Sequence, residues 1–554
     1  MTVLTIKNFS HVISLKEKLK HWLLDSFLLQ EQSLYTLFFS YGSAKERCKV
    51  WSSSDAEPQV LIKRILKYID QQFEKKRELP EFLKFDIVVN VEEKLWSQVV
   101  EEVNQQPHNN HYRKGISFDS KFNICFLEQE IYAKAIIKGL VYNEPNFFDE
   151  KNLNTAISKK YPQLKTELQL DKIEKVWVFD TISCFYENSQ IIPLQSTGPA
   201  NGVRYISADK KGDIRDLVIK NADFLHGEIQ EDGRFIYGYF PAYGNQIKSY
   251  NTVRHCTAVY ALIETLEVNY NPNYLAKIKT AIHYALETFY KEIDNKAFMS
   301  DGAADQQEIK LGANATAIFM LCKYQEVTGD ASYLSYAEHL AQGILSMIDD
   351  QGETTHVTHY PSLEVKEKFR IVYYDGEAAL GLLRLYQINH DPVLLDTVKL
   401  MFEHFISKNY DRYHDHWLSY CTNELTKICP EEKYFEFGLN NYLKHMNFIR
   451  NRKTAYATFL EMMMSAYKMV VRLKEQGYSE LFERAKFEEL KELIELRVEF
   501  QRTGFFYPEV AMYLANPQQV LNAFYVRHDR LRTRIDDQEH NLSGYVAYLN
   551  HFEI

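Results

Sequence analysis

The chain has 554 residues and a formal net charge of −10, with 65 lysines and arginines against 75 aspartates and glutamates. This length exceeds a single ordinary core, so we expect several domains or one large repeat domain. The acidic balance argues against broad nucleic-acid binding, and the low content of glycine (21) and proline (14) argues against a β-sandwich or a linker-rich protein.

The N-terminal segment lacks the basic, then apolar, then small pattern of a secretory signal. No stretch approaches the length of apolar sequence that a membrane helix needs. The seven cysteines are widely spaced, without a C-x-x-C pair, which indicates reduced thiols. The Walker, G-x-G-x-x-G and G-x-S-x-G motifs are absent. We therefore predict a cytoplasmic protein with no membrane or nucleic-acid partner and no cofactor.

Residues 1–200 combine charged helical runs with short segments rich in β-branched and aromatic residues, at 85–89, 122–127 and 175–182. This mixture predicts a small N-terminal α/β domain, whose role the sequence leaves open. The segment 191–202 gathers proline, glycine, serine and asparagine, and it is the best candidate for the domain boundary.

After residue 210 two kinds of helix alternate. One kind is amphipathic, whereas the other is apolar nearly all round, as in 313–322, 377–386 and 455–467. Six such pairs, joined by long return connections, predict a mainly helical (α/α)6 toroid of six helical hairpins over residues 201–554. The buried helices run parallel in such a ring, so their N-termini and the long connections meet at one end, where we expect function.

Three buried helices open with YNTVRHCTAVYALIE, KLGANATAIFMLCKY and YYDGEAALGLLRLY. In this organisation the chain resembles the six-hairpin toroid superfamily, which includes N-acylglucosamine 2-epimerases, glucuronyl C5-epimerases, glycoside hydrolases and polysaccharide lyases. The resemblance covers residues 210–554 and no catalytic motif of one family. It implies a carbohydrate site at the N-termini of the buried helices, by analogy of fold.

Histidines and carboxylates cluster at the predicted starts of the buried helices. Sugar epimerisation, uronate elimination and glycoside hydrolysis all require a paired acid and base, which these side chains supply once burial shifts their pKa values. Other roles stay open for some of these residues. Asp375 could cap its helix, His255 could be a hydrogen-bonded core histidine, and His414 with His416 could be part of a metal site. The candidate catalytic residues are His255, Asp375, Glu377, His416, Asp537 and His540.

Candidate substrate-binding residues lie at the same helix starts and in the neighbouring connections. Arginine forks suit carboxylates and phosphates, and aromatic rings stack on sugars. The alternative for the arginines is pairing with nearby acidic residues on a solvated surface. The candidates are Arg254, Arg452 and Arg530 as anion clamps, Tyr374 and Trp417 as sugar platforms, and Asn314 in the first turn of its helix.

The sequence thus favours a carbohydrate-active enzyme that acts on an anionic or acylated saccharide, as an epimerase, hydrolase or lyase, without a metal. A second hypothesis is a zinc-dependent toroid that modifies a peptide or isoprenoid, since Cys256, Cys322 and Cys421 fall on three buried helices. A third is a non-catalytic scaffold that binds a partner.

Overall fold

The computed structural model describes residues 3–76, 79–139, 145–302 and 306–553. The described chain forms two compact units. Unit one comprises Met1–Ser207, Tyr239–Gln246 and Thr503–Thr533, and unit two comprises Ala208–Gly238, Ile247–Arg502 and Arg534–Ile554. We predicted a single boundary at residue 200, whereas two short segments from later in the chain belong to unit one.

The first 207 residues alternate helices with strands. Their elements are α1 (Val3–Leu28), β1 (Tyr35–Ser43), β2 (Glu46–Asp55), α2 (Pro58–Lys76), β3 (Phe82–Leu95), α3 (Trp96–Asn104), β4 (Gly115–Ser117), β5 (Cys125–Phe126), α4 (Glu128–Ala133), β6 (Ile137–Lys138), β7 (Phe147–Phe148), α5 (Glu150–Lys160), β8 (Lys175–Glu187) and β9 (Gln190–Pro193). Seven of these strands form one sheet in the order β2-β1-β3-β8-β4-β5, with β9 paired to β8. Each of these strand pairs is antiparallel, so the sheet is not the parallel sheet of an α/β domain.

The sheet of unit one is held by side chains that alternate along its strands. Leu37 and Phe39 of β1 and Phe85 and Ile87 of β3 are buried in one core with the apolar faces of α1 and α2. A second core gathers residues of α3, α5 and β8. The predicted β-runs 85–89 and 175–182 lie within β3 and β8, but only Cys125–Phe126 of the run 122–127 is a strand.

Helices dominate the chain after residue 208. The elements are α6 (Lys210–Gly227), β10 (Gly238–Phe240), β11 (Asn245–Gln246), α7 (Thr252–Val268), α8 (Pro272–Phe289), β12 (Tyr290–Ile293), β13 (Lys296–Asp301), β14 (Glu308–Lys310), α9 (Leu311–Thr328), α10 (Leu334–Leu345), β15 (Val357–His359), β16 (Val365–Glu367), α11 (Tyr373–Asn389), α12 (Pro392–Ser407), α13 (His416–Ile428), α14 (Glu432–Leu443), α15 (Met446–Asn451), α16 (Thr458–Glu475), α17 (Ser479–Arg484), α18 (Phe487–Gln501), α19 (Pro508–Ala511), β17 (Thr533–Arg534) and α20 (Ile535–His551). The predicted mainly helical character of the chain is confirmed.

Six helices of unit two contact one another in a closed circuit, which we call the ring. α7 packs on α9, α9 on α11, α11 on α13, α13 on α16, α16 on α20, and α20 on α7. These helices have little polar surface because they are enclosed on most sides; in α9 every residue from Leu311 to Tyr324 is buried. The helix starts predicted near residues 254, 312, 376, 417, 454 and 537 lie within four residues of the observed starts of the ring helices.

A second set of helices packs against the ring. α6 contacts α7 and α20, α8 contacts α7, α10 contacts α9 and α11, α12 contacts α11, α14 contacts α13 and α16, and α18 contacts α16. α8 and α12 begin at Pro272 and Pro392, where Asn271 and Asp391 cap them. Two connections that we predicted as loops, 291–311 and 349–375, instead carry the strands of a five-stranded sheet, β12-β13-β14-β15-β16.

Two observations concern the environment of the chain. Within the described residues, no helix combines the length and the apolar character that crossing a membrane requires. All seven cysteines are free thiols, and six of them are buried.

Candidate active site

The N-terminal portions of four ring helices bring five ionisable side chains together, which we call the ring cluster. They are Glu377 of α11, His416 of α13, Glu461 of α16, and Glu539 and His540 of α20. Nitrogen and carboxylate atoms of His416, Glu461 and His540 lie within 4.8 Å of one another. Glu377, His416, Glu461 and Glu539 are each at most 4% exposed, so their charges interact in a medium that screens them far less than water.

His416 is held in one orientation by the cap of its own helix. The Asp415 carboxylate lies 3.1 Å from Nδ1 of His416, and it also accepts the backbone N–H of Leu418 at 2.9 Å. Asn441 bonds both the backbone N–H and the backbone carbonyl of Asp415. Because a carboxylate only accepts, Nδ1 carries the proton of the neutral ring. Nε2 is buried without a hydrogen-bond partner among the described residues.

His540 lies in the opposite electrostatic setting. Its Nδ1 is 2.8 Å from Glu461 Oε2 and 3.2 Å from Glu539 Oε2, while the Tyr420 hydroxyl donates to the other oxygen of Glu461. Burial by itself lowers the pKa of His540, but the charges of Glu539 and Glu461 outweigh burial and raise this pKa well above its ordinary value. His540 is therefore protonated at neutral pH.

Two glutamates of the ring cluster hold their protons unusually tightly. Burial, reinforced by the charges of Asp415 and Glu539, raises the pKa of Glu377 well above its ordinary range. Burial also raises the pKa of Glu539, to about 7, although the neighbouring His540 opposes this shift. Oε2 of Glu377 and Oε1 of Glu539 are buried without a hydrogen-bond partner within the described chain.

Aromatic rings surround the two histidines. The ring centroids of His416 and His540 are 5.2 Å apart, and their planes are inclined by 79°. The indole of Trp417 lies 4.8 Å from the ring of His416 and 6.5 Å from that of His540. Tyr373 contacts His416 edge to face at 5.4 Å. This arrangement gives a flat, largely apolar wall beside two groups that can exchange protons.

A cavity of about 270 Å³ opens beside His416. Arg452 lies at this cavity with its guanidinium 5.3 Å from the ring of Phe448 and 5.5 Å from that of Tyr456. Its Nε donates to the Thr454 hydroxyl, and no ion pair within the described residues uses its charge. The cavity is lined by Tyr373, Tyr413, His414, Asp415, His416, His445, Phe448, Arg452, Tyr456, Thr458, Phe459 and Met462.

Two other predicted catalytic residues have structural partners. The Asp375 carboxylate accepts from the Thr354 hydroxyl at 2.6 Å and lies 3.1 Å from Nε2 of buried His356, and it thereby anchors the preceding connection to α11. His255 uses both ring nitrogens, on the Tyr250 hydroxyl and the Ala281 carbonyl. Burial lowers the pKa of His255 to about 4, as expected for a core histidine.

The remaining predicted residues divide between several local roles. Arg254 pairs with Asp536 at 3.0 Å and donates to the Tyr237 hydroxyl. Asp537 accepts the backbone N–H of Arg534 at the start of α20. The side chain of Asn314 accepts the Met299 N–H and donates to the Lys310 carbonyl.

Tyr374 lies beside Glu377 of the ring cluster, since a Cβ atom at Gly312 would meet both the Tyr374 ring and Oε2 of Glu377. The ring of Tyr374 contacts His356 at 5.5 Å. Arg530 belongs to unit one, where its guanidinium lies 4.0 Å from the ring of Phe240 and 3.3 Å from Asp529. The pairing of exposed Arg530 with Asp529 matches the alternative that the sequence left open for the arginines.

Sequence reasoning missed Glu461 and Glu539 as members of the site. Glu461 is the only charged residue in the run TFLEMMMSAY, and a lone carboxylate in a helix that is otherwise enclosed is a usable signal. Glu539 lies among the acidic and basic residues near the start of the sixth buried helix, a composition typical of a solvated surface, yet it is 1% exposed.

His416, Glu461 and His540 form the group of residues best placed to hold a metal ion within the described chain. Binding a metal through His540 requires its loss of a proton, which the two adjacent glutamates oppose. Burial also raises the pKa of Cys256 and of Cys322 to about 12, and thereby disfavours the thiolates that zinc needs.

A glycine on α9 makes room for Glu377. A Cβ atom at Gly312 would collide with Oε2 of Glu377 and with the ring of Tyr374. We expect Gly312→Ala to displace Glu377 and to destabilise unit two by about 1–3 kcal/mol, as overpacked cores do. Denaturant unfolding monitored by tryptophan fluorescence measures this change. Gly227→Ala is the matched control, because a Cβ there meets no atom within 4 Å and should leave stability unchanged or raise it.

No protein-family profile matches this chain, and no curated protein matches it. Solved structures do match. A D-mannose isomerase aligns with a TM-score of 0.47 and 11% identity, over 63% of this chain and 100% of that one. A cellobiose 2-epimerase from Bacillus thermoamylovorans aligns with a TM-score of 0.45 and 13% identity, over 62% of this chain and 99% of that one. An α-1,6-mannanase from Salegentibacter sp. aligns with a TM-score of 0.43 and 12% identity, over 60% of this chain and 98% of that one. These structures resemble this chain in the path of the backbone, at low sequence identity. The function therefore has to be argued from the side chains of this chain.

Proposed function

We propose that unit two is an (α/α)6 toroid of six helical hairpins and that it catalyses proton transfer on a saccharide, as a sugar epimerase. The closed circuit of six ring helices, with a second helix against each, supports the toroid. The ring cluster lies at the N-terminal portions of ring helices, the end at which we expect the site.

One observation carries the proposed reaction: two histidines with ring centroids 5.2 Å apart have different partners, since Nε2 of His416 is unpartnered whereas His540 lies against two glutamates. His416 presents an unpartnered Nε2, which can take a proton from the carbon next to a sugar carbonyl. His540 holds its proton through Glu539 and Glu461, and it can donate a proton to the carbonyl oxygen while the C–H bond breaks. Return of the proton to the opposite face of the planar enediol then inverts one carbon centre without any net change in composition.

A saccharide suits this site because its hydroxyl groups match the polar atoms around it. Each buried polar atom without a partner costs about 1–3 kcal/mol. Hydroxyls donating to Glu377 Oε2 and Glu539 Oε1 would recover that cost on binding. Tyr373, which lines the cavity beside His416, supplies an apolar surface on which the C–H face of a sugar ring packs.

Arg452 is the reason to extend the proposal to an anionic sugar. Its charge has no acidic partner in the described chain, and it lines the cavity beside His416. We expect Arg452→Gln to raise KM for an acidic sugar substrate about tenfold or more while leaving kcat nearly unchanged, because the guanidinium binds ground state and transition state alike. Steady-state kinetics on an acidic sugar and its neutral counterpart measure this; an equal effect on both substrates would contradict the role.

The decisive experiment is isotope exchange. The protein is incubated in D2O with a panel of reducing sugars that are neutral, N-acylated, phosphorylated or uronic, and the products are followed by NMR. The proposal expects deuterium at the carbon next to the carbonyl, together with the epimer, for one class of sugar. Absence of exchange across the panel would count against it.

Glycoside hydrolysis is the second candidate, because a specific observation favours it. The raised pKa of Glu377 suits a general acid that protonates a leaving oxygen. New reducing ends released from oligosaccharides, without deuterium in the product, would favour hydrolysis over epimerisation.

Stoichiometric zinc in the purified protein, measured by elemental analysis, would instead favour a metal site at His416, Glu461 and His540.

A further inference from the structure

Unit one contains a cavity of about 820 Å³ whose lining is strongly basic. Five lysines and arginines border it, against a single carboxylate, in a protein whose net charge is −10. The basic residues are Arg47, Lys49, Lys134, Lys159 and Lys160, and the acidic residue is Glu130.

Glu130 is already neutralised by two of these lysines. Its carboxylate is fully buried, 2.7 Å from the ammonium of Lys134 and 2.6 Å from that of Lys160. It also accepts the backbone N–H of Leu127. The local positive charge therefore exceeds what the one carboxylate can balance.

The other three cations, Arg47, Lys49 and Lys159, form no ion pair within the described part of the chain. Arg47 is the least solvated of them. Its Nη2 donates to the backbone carbonyls of Ala133 and Ala242, which fixes the guanidinium, whereas its Nε is buried without a partner among the described residues. A partly buried charge without a counter-ion is unfavourable, and a bound anion would relieve it.

Aromatic side chains form another wall of this cavity. Arg47, Lys49 and Trp51 alternate along the edge strand β2, so they lie on one face of it. Trp51 stacks on Tyr68 with centroids 5.1 Å apart, and the hydroxyls of Tyr68 and Tyr41 are 2.8 Å apart. The wall therefore offers apolar surface and hydroxyl donors next to the cations.

We propose that this cavity binds the phosphoryl group of an organic phosphate ester. A dianion matches several cations in excess, and the arginine fork and lysine ammoniums are the usual donors to phosphate oxygens. The cavity is much larger than one phosphate, and the wall of Trp51 and Tyr68 provides contacts for the organic part of an ester. This site belongs to unit one and is independent of the chemistry proposed for the ring cluster.

Isothermal titration calorimetry at constant ionic strength tests the proposal with three probes: inorganic phosphate, glucose 6-phosphate and glucose. The ester is expected to bind more tightly than inorganic phosphate, and glucose is expected not to bind. Lys49→Gln/Lys159→Gln removes two exposed cations of the cavity and should weaken ester binding at least tenfold, and Arg47→Gln should do the same.

Lys63→Gln/Lys121→Gln is the matched control, because it removes two exposed charges of unit one that do not line the cavity. Binding of the ester should survive in this control, and also in His416→Gln, which alters only unit two. Loss of binding in the control to the same extent as in the cavity variants would overturn the proposal. So would an ester that binds no better than inorganic phosphate, or an absence of binding heat for both.

Discussion

Replacing His416 with glutamine is expected to lower turnover about a thousandfold, within the range of 10²–10⁴ typical of lost general base catalysis. Glutamine approximates the reach of histidine but cannot take a proton from carbon. The Asp415 cap on the Leu418 N–H does not involve the imidazole, so α13 should stay folded. The measurement is kcat/KM for deuterium exchange on the sugar identified by the NMR panel, with thermal unfolding recorded for the same sample.

The matched control for this variant is His339→Gln. His339 is exposed on α10, a helix packed on the outside of the ring helices α9 and α11, and it contacts none of the ring cluster. It should retain full activity. A His416→Gln enzyme that keeps a tenth or more of the wild-type rate would show that Nε2 is not the base.

Replacing Glu461 with glutamine is expected to move the alkaline limb of the pH–rate profile toward lower pH. Glu461 and Glu539 raise the pKa of His540, so the acid form persists until the pH passes that raised value. Removing the charge 2.8 Å from Nδ1 lowers the pKa of His540, and activity is lost earlier as the pH rises. The profile of kcat/KM between about pH 5 and pH 10 measures the shift.

The same shift has a consequence for stability. A histidine whose pKa is raised by folding stabilises the native state fully below its unfolded pKa of about 6.5, and this contribution is lost as the pH rises through the folded value. The Glu461→Gln enzyme should lose part of it. Glu475→Gln, at the exposed end of the same helix, is the control for both measurements. An alkaline limb that stays in place in Glu461→Gln would contradict the assignment of His540 as the acid.

The ring explains why these two changes should have large effects. The cluster is enclosed by helices that are apolar on most sides, so each carboxylate acts on its neighbours through a weakly screening medium. Glu377 responds by holding its proton, whereas Glu461 is satisfied by Tyr420 and His540. Within a few ångströms the site therefore contains acids and bases in different proton states, as acid–base catalysis requires.

Local sequence patterns predicted many of the helices of this fold. Helix α9 was predictable because no face of LGANATAIFMLCKY is polar, and α12 because Asp391 and Pro392 mark its start. The antiparallel sheet of unit one was not predictable from local patterns. Its strand order depends on contacts such as that of β3 with β8, whose paired residues lie about ninety positions apart. Alternation along one strand carries no information about which strand lies beside it.

The site shows the same division. The sequence by itself placed His416, His540 and Glu377 at the starts of enclosed helices, because capping residues and apolar periodicity are local properties of the chain. Only the tertiary structure decided which of them act together. The pKa of His540 is raised by Glu539 and by Glu461, which lies 79 residues earlier in the chain. The Nε2 atom of His255 is hydrogen-bonded to the carbonyl of Ala281 on the neighbouring helix α8. Proton affinity depends on the distance between charges and on burial, and both are set by how the helices pack.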